Sequence, residues 1–195
     1  MRILGISGSL RRDSHNTSLV RAAAELLPSG NELVLWDELR AVPPYDQDLD
    51  DESAPTAVAS LRAAVADADV VLISTPEYNS SVPGALKNAL DWASRPHATH
   101  VFRNKPVAVI GASAGAFGAV WAQAELRKVL AAMGARVADV EVAVGHAGEK
   151  FADDGALVDE GVREQLREAL AALVAETARA TPQVQAAASP LPAAA

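Results

Sequence analysis

Five stretches of strand length, residues 3–6, 33–36, 70–73, 107–110 and 137–144, are apolar at nearly every position instead of at every second one. A strand apolar on both faces must be covered on both faces, which is the condition of a parallel sheet carrying helices front and back. The segments between and after them show helical spacing of apolar residues. These are Leu19, Val20, Ala23 and Leu27, then Val58, Leu61 and Val65, then Leu86, Ala89 and Leu90, then Leu126, Val129, Leu130 and Met133, and finally Val162, Leu166, Leu170 and Leu173. The order is therefore (βα)₅, and right-handed crossovers turn it into an α/β fold with a doubly wound five-stranded parallel sheet. Such sheets bind ligands beyond the C-terminal strand ends, where the winding reverses. The loops after strands one, three and four are the ones to inspect.

Composition agrees with this and narrows the chemistry. Half of the 195 residues are hydrophobic but only 4% are aromatic, so Ala, Val, Leu and Ile must fill the interior. With no cysteine, disulfides, thiolate metal ligands and cysteine nucleophiles are excluded together. The four histidines fall at no metal-ligand spacing. A formal charge of −8 with dispersed basic residues opposes nucleic-acid binding, which needs a clustered cationic face. No apolar run reaches membrane-spanning length and the N-terminus lacks the marks of a secretory leader, so a soluble cytoplasmic protein without a membrane partner is expected. Residues 1–180 are read as one domain, and 181–195, almost wholly Ala, Pro, Gln and Ser, as a disordered tail. The acidic segment 46–52 reads as a solvated surface loop, and Asp37 as a solvated strand end.

The loop after strand one, GSLRRDSHN (residues 8–16), leads into a helix with Asn16 or Thr17 as the expected N-cap. Free N–H groups and a partial positive charge make a helix N-terminus a place for an anion. Ser9, Ser14 and Asn16 or Thr17 add neutral donors, and Arg11 offers paired donors to phosphate oxygens. A phosphate-cradling P-loop would need a lysine, which this segment lacks, and a dinucleotide fingerprint would need more glycines than Gly5 and Gly8. The loop after strand three, TPEYNSSVPGALKNALDW (residues 75–92), places Pro76, Tyr78 and Asn79 in succession. Together they supply shape, planar contact and amide hydrogen bonds suited to a flat heteroaromatic ring.

These two segments resemble the NADPH-dependent FMN reductase family, which includes quinone, chromate and azo-dye reductases. GSLRRDSHN is similar to the family's GSLRxxSxN loop, and PEYNSSVPGALKNALDW to its PEYNxSxPGxLKNAxDW loop and helix. The resemblance spans residues 1–180 and implies a flavodoxin-like sheet of order 2-1-3-4-5. By it, Ser9, Arg11, Ser14 and Asn16 would hold the FMN phosphate, and Pro76, Glu77, Tyr78 and Asn79 would line the isoalloxazine. The family's GxSxGxxGGxRAQxxLR appears as GASAGAFGAVWAQAELR, so Ser113 and Gly115 match near the flavin edge. Ala119 and Trp121 depart from it, and the missing arginine leaves the choice between NADPH and NADH open.

The activity so implied is an NAD(P)H oxidoreductase that passes a hydride through bound FMN to a flavin, quinone, azo or similar small acceptor, in a homodimer or homotetramer. The cofactor carries the chemistry, so no catalytic acid or base and no metal ligand is assigned. His97 and His100, in RPHATHVFRNK, read as solvated loop histidines and stand outside the candidate set. The alternatives are a flavodoxin-type electron carrier, against which Arg11 argues, and a flavin-binding module without reductase activity, against which the intact PEYN segment argues.

Overall fold

The computed structural model describes residues 1–50 and 54–178. The expected tail, 181–195, lies outside the described residues, as does part of the acidic segment. The elements run β1 (Arg2–Ser7), α1 (His15–Leu26), β2 (Glu32–Trp36), α2 (Thr56–Asp67), β3 (Val70–Thr75), α3 (Gly84–Ala93), β4 (Pro106–Ala112), α4 (Val120–Ala132), β5 (Arg136–Val137), β6 (Ala143–Val144) and α5 (Glu160–Ala178). All strand pairs are parallel, in the flavodoxin-like order β2-β1-β3-β4-β5, with β6 also on β4.

Successive residues of each central strand point into different apolar layers, which is why the runs show no polar alternation. Val70 and Leu72 of β3, with Ala108 and Ile110 of β4, face a cluster completed by Leu19 of α1 and Leu166 and Leu170 of α5. Val71, Ile73, Val107 and Val109 face the opposite cluster, closed by Leu61, Leu86, Leu90, Leu126 and Leu130 of α2, α3 and α4. Gly5 marks a close approach of α1 to the sheet: a Cβ there would lie 2.5 Å from Val20 Cγ1 and 2.8 Å from Leu33 Cδ2. Any side chain would push α1 off the sheet.

The fifth expected strand, 137–144, is in fact two short ones. β5 pairs with the start of β4 (Val107↔Val137) and β6 with its end (Gly111↔Ala143). Between them the guanidinium of Arg127, from α4, enters the gap and donates to the carbonyls of Ala138 (3.2 Å), Val109 (3.1 Å) and Val140. The side chain takes the Val109 carbonyl that a continuous neighbouring strand would have used. In the acidic segment residues 46–49 are exposed, as expected of a surface loop, and Asp50 departs from that reading. Asp50 is largely buried and pairs with Arg62 at 2.6 Å, so it ties the chain after β2 to α2.

Candidate functional site

β1 ends at Ser7, and Gly8 N–H donates to the carbonyl of Ser74 on β3 (2.8 Å). A Cβ on Gly8 would come within 2.8 Å of Leu86 Cδ2 and 3.3 Å of Pro76 Cδ, so only glycine lets the two strand ends meet. The N-cap of α1 is Ser14, not Asn16 or Thr17. Its Oγ accepts from the N–H of both those residues, at 3.2 and 3.4 Å. Asn16 lies inside the helix, buried, with both heteroatoms of its amide bonded: Nδ2 donates to Ala112 O (2.9 Å), and Oδ1 accepts from Ala112 N–H (3.0 Å) and Ser74 Oγ (2.8 Å). One side chain thus joins α1 to the ends of β3 and β4. Thr17 Oγ1 donates to Ser7 Oγ at 2.9 Å.

The intervening loop engages only part of its donors. Ser9 Oγ accepts from Arg11 N–H (3.3 Å), and Arg11 Nη2 donates to Asp13 O (2.8 Å). Among the described residues, the backbone N–H groups from Arg12 to His15 have no acceptor. With the α1 dipole behind them they make a place for an anion.

After β3, the chain forms a tight hairpin. Tyr78 and Ser81 exchange backbone hydrogen bonds at 3.2 Å each way, and Asn79 and Ser80 both have positive φ, +54° and +59°. This is the I′ pattern, which favours asparagine at its first central position. Glu125 of α4 holds the far side of the hairpin by accepting from Ser81 Oγ (2.6 Å) and Val82 N–H (3.2 Å), bonds that keep its carboxyl below the usual range. Glu77 caps α4. Its Oε2 accepts from the N–H of Trp121 and of Ala122, each at 3.0 Å, because the N-cap residue Ala119, at φ +63°, has no side chain able to do so.

The loop after β4 is locked onto the stretch that follows β6. Ser113 N–H donates to Val144 O, Ala147 N–H to Ser113 O, and His146 N–H to Gly115 O, all within 3.0 Å. At Gly118, φ +59°, a Cβ would lie 2.3 Å from the carbonyl carbon of Ala143. At Gly115 it would meet nothing closer than Ser113 Oγ at 4.0 Å, so this end of the loop faces open space.

The three loops enclose a cavity of about 360 Å³. Ser9, Arg11, Ser14 and Asn16 wall one end, Pro76, Glu77 and Tyr78 one side, and Ser113 and Gly115 another. Nine of the ten candidate residues therefore come together. Asn79 does not line the cavity; it sits exposed at the hairpin tip. Sequence reasoning missed His15, Ala112 and Ala114, which complete the wall. His15 stacks on Phe151 (centroids 5.5 Å, planes 24° apart), and burial, reinforced by the charge of Arg11, pulls its pKa below the ordinary 6.5. It flanks the anion end as a neutral ring at neutral pH. Its signal was its position, between the capping serine and the helix. His100, expected to be solvated, is 5% exposed, and its Nδ1 has no partner among the described residues. Among the described residues no group of three His, Asp or Glu could hold a metal ion, and no helix is long and apolar enough to cross a membrane.

Residues 1–149 match the family described as NADPH-dependent FMN reductase. The chain is 41% identical over 174 residues to an NAD(P)H-dependent FMN reductase of Pseudomonas aeruginosa, covering 89% of this chain and 93% of the relative. It is 42% identical over 168 residues to a 2-hydroxy-1,4-benzoquinone reductase of a Burkholderia species, covering 86% and 91%. Among solved structures it resembles FerB, a flavoenzyme NAD(P)H:(acceptor) oxidoreductase from Paracoccus denitrificans. That match has a TM-score of 0.82 at 36% identity, covering 91% of this chain and 97% of the other.

Proposed function

The chain belongs to the NADPH-dependent FMN reductase family, and from that premise we propose that it is an NAD(P)H oxidoreductase holding FMN in the cavity between the loops after β1, β3 and β4. Bound there, FMN would supply the redox chemistry between a nicotinamide donor, NADPH or NADH, and a small acceptor such as a flavin, quinone or azo compound. The observation that carries this reading is the division of one cavity into two chemically different ends.

The chemistry of the donor set fits a phosphate at the first end. The unpaired N–H groups from Arg12 to His15, the hydroxyls of Ser9 and Ser14 and the guanidinium of Arg11 surround one place. The second end fits a flat ring. The buried Pro76 and the exposed ring of Tyr78 supply apolar contact, and Gly115 leaves open space where a side chain would intrude. Asn16, whose amide is bonded to the ends of β3 and β4, and Glu77, whose Oε2 caps α4, would serve by holding the walls at fixed spacing. Asn79 would act through the hairpin it permits. We assign no proton-transfer residue.

The same reading has the protein work in the cytoplasm as a homodimer or homotetramer, on small molecules and not on nucleic acid or membranes. The formal charge of −8 supports the exclusion of nucleic acid. Purified protein is expected to show flavin absorbance bands that NADPH or NADH alone bleaches anaerobically and a quinone restores. Colourless protein with no affinity for FMN would overturn the cofactor reading. A flavin that neither nucleotide bleaches would point to an electron carrier instead.

A further inference from the structure

The loop that lends Ser113, Ala114 and Gly115 to the cavity runs on into two large aromatic residues left in solvent, Phe117 at 63% and Trp121 at 49% exposure. Their rings meet edge-on, with centroids 5.0 Å apart and planes at 65°. Glu77 fixes where they stand, because its carboxylate holds the Trp121 N–H. The next residue along, Tyr78, lines the cavity and is 53% exposed. Phe117 and Trp121 do not line the cavity themselves but stand on the chain that leaves it after Gly115, with the Trp121 backbone bonded to the wall residue Glu77. Large apolar groups exposed in such a place mark a binding surface. No side chain from residue 111 to residue 124 carries a charge. The charged groups nearest the pair are the carboxylates of Glu77, on the Trp121 N–H, and of Glu125, one turn further along α4 with Lys87 and Lys128 near it, while the guanidinium of Arg11 belongs to the loop at the opposite end.

Resting on the oxidoreductase reading above, we propose that Phe117 and Trp121 are the acceptor platform of the same site, and that they select neutral planar quinones over anionic acceptors such as metal oxyanions. A flat, electron-poor ring gains edge-to-face or offset contact with exposed aromatics, whereas an oxyanion brought here leaves water beside the carboxylates of Glu77 and Glu125. The ring surface the pair exposes is roughly 200 Å² from the ordinary size of such side chains. That suits a molecule of one or two rings, and it falls well short of the roughly 800 Å² each partner contributes to a stable protein interface. The net reaction balances as NAD(P)H, a proton and a quinone giving NAD(P)⁺ and a hydroquinone. Two electrons and two protons reach the quinone, the second proton coming from solvent.

Two measurements test this on the FMN-loaded protein. The first is equilibrium binding of 1,4-naphthoquinone without donor, read by quenching of tryptophan fluorescence. Trp36 and Trp92 are buried, so the accessible signal belongs to Trp121. Saturable quenching that weakens in Phe117→Ala supports the platform; quenching that is linear in quinone, or unchanged in Phe117→Ala, overturns it. The second is the ratio of kcat/KM for naphthoquinone to that for ferricyanide, an anionic and non-planar acceptor. Trp121→Arg should lower that ratio by about tenfold through KM for the quinone, with Trp121→Phe recovering most of it. An unchanged ratio overturns the proposal. So does a shift that follows a change in oligomeric state on sedimentation, which would make this surface a contact between copies of the chain. If the wild-type protein is not bleached by either nucleotide, the oxidoreductase reading itself fails, an outcome separate from those above.

Discussion

The Glu77 carboxylate closes the first turn of a helix that begins 43 residues later in the chain, holding the N–H of Trp121 and of Ala122 at 3.0 Å each. The residue that walls the cavity after β3 is therefore also the cap of α4. Replacing it with Ala should cost about 1–2 kcal/mol, the usual loss for a helix cap, increased by removal of an anion from the positive end of the helix. The melting temperature should fall by roughly 2–8 °C for a chain of this size. Glu77→Gln, which keeps an acceptor oxygen, should recover most of the difference. Equal melting of wild type and Glu77→Ala would show that the cap contributes nothing.

Arg11 is the cation at the anion end of the cavity, and among the described residues its guanidinium is spent on only one loop carbonyl, Asp13 O. Arg11→Ala should weaken FMN binding by about 1.5–3 kcal/mol, the range for a hydrogen bond to a charged group. Riboflavin, which lacks the phosphate, should bind wild type and variant alike. Fluorescence titration with both flavins checks this, and an unchanged FMN dissociation constant would sink the phosphate assignment.

Asn79 separates two roles cleanly. As a turn residue with φ +54° it should tolerate glycine without loss, while alanine at that backbone angle should cost about 1 kcal/mol and valine more. A direct hydrogen bond to the flavin ring would instead make glycine and alanine equally harmful to FMN affinity. Thermal melts and flavin titration of Asn79→Gly and Asn79→Ala decide between them.

Acid should destabilise the fold through its histidines. Burial, with the nearby charge of Arg103 and then His97, pulls His100 below the ordinary value of 6.5, and burial does the same at His15. As pH falls through 6.5 the unfolded chain takes up protons that the folded chain resists, so stability is complete above that value and declines below it. Denaturant unfolding from pH 8 to pH 5 should show this slope, shallower in His100→Gln. FMN should raise the pKa of His15, because a phosphate at the anion end favours the protonated ring. An NMR titration of His15 that does not move on adding FMN would place the phosphate elsewhere.

The layout of the fold was legible because burial on both faces of a strand leaves a local record. The apolar runs that gave β1, β3 and β4, and the loops that follow them, are visible without any knowledge of partners. What escaped depends on contacts between distant residues. Asn16 looks like a helix cap until Ala112, 96 positions away, is found on its amide. The continuous run 137–144 looks like one strand until Arg127 is placed against Val109. His100 looks solvated in its polar loop, and only the packing of that loop buries it. Asn79 and Tyr78 are neighbours in a motif, but the hairpin sends one to the wall and the other to the tip.

The amide of Asn16 has a further consequence for kinetics. Because it ties α1 to the ends of β3 and β4 with three hydrogen bonds, the loops it joins cannot drift apart without breaking buried bonds. A ligand entering this cavity would meet walls already at their bound spacing, and little conformational entropy would remain to be lost on association. Its arrival should then be governed by diffusion and electrostatic steering, and its residence time by the contacts it makes. Loosening Asn16 should shift control of the arrival rate to the slower rearrangement of the loops themselves.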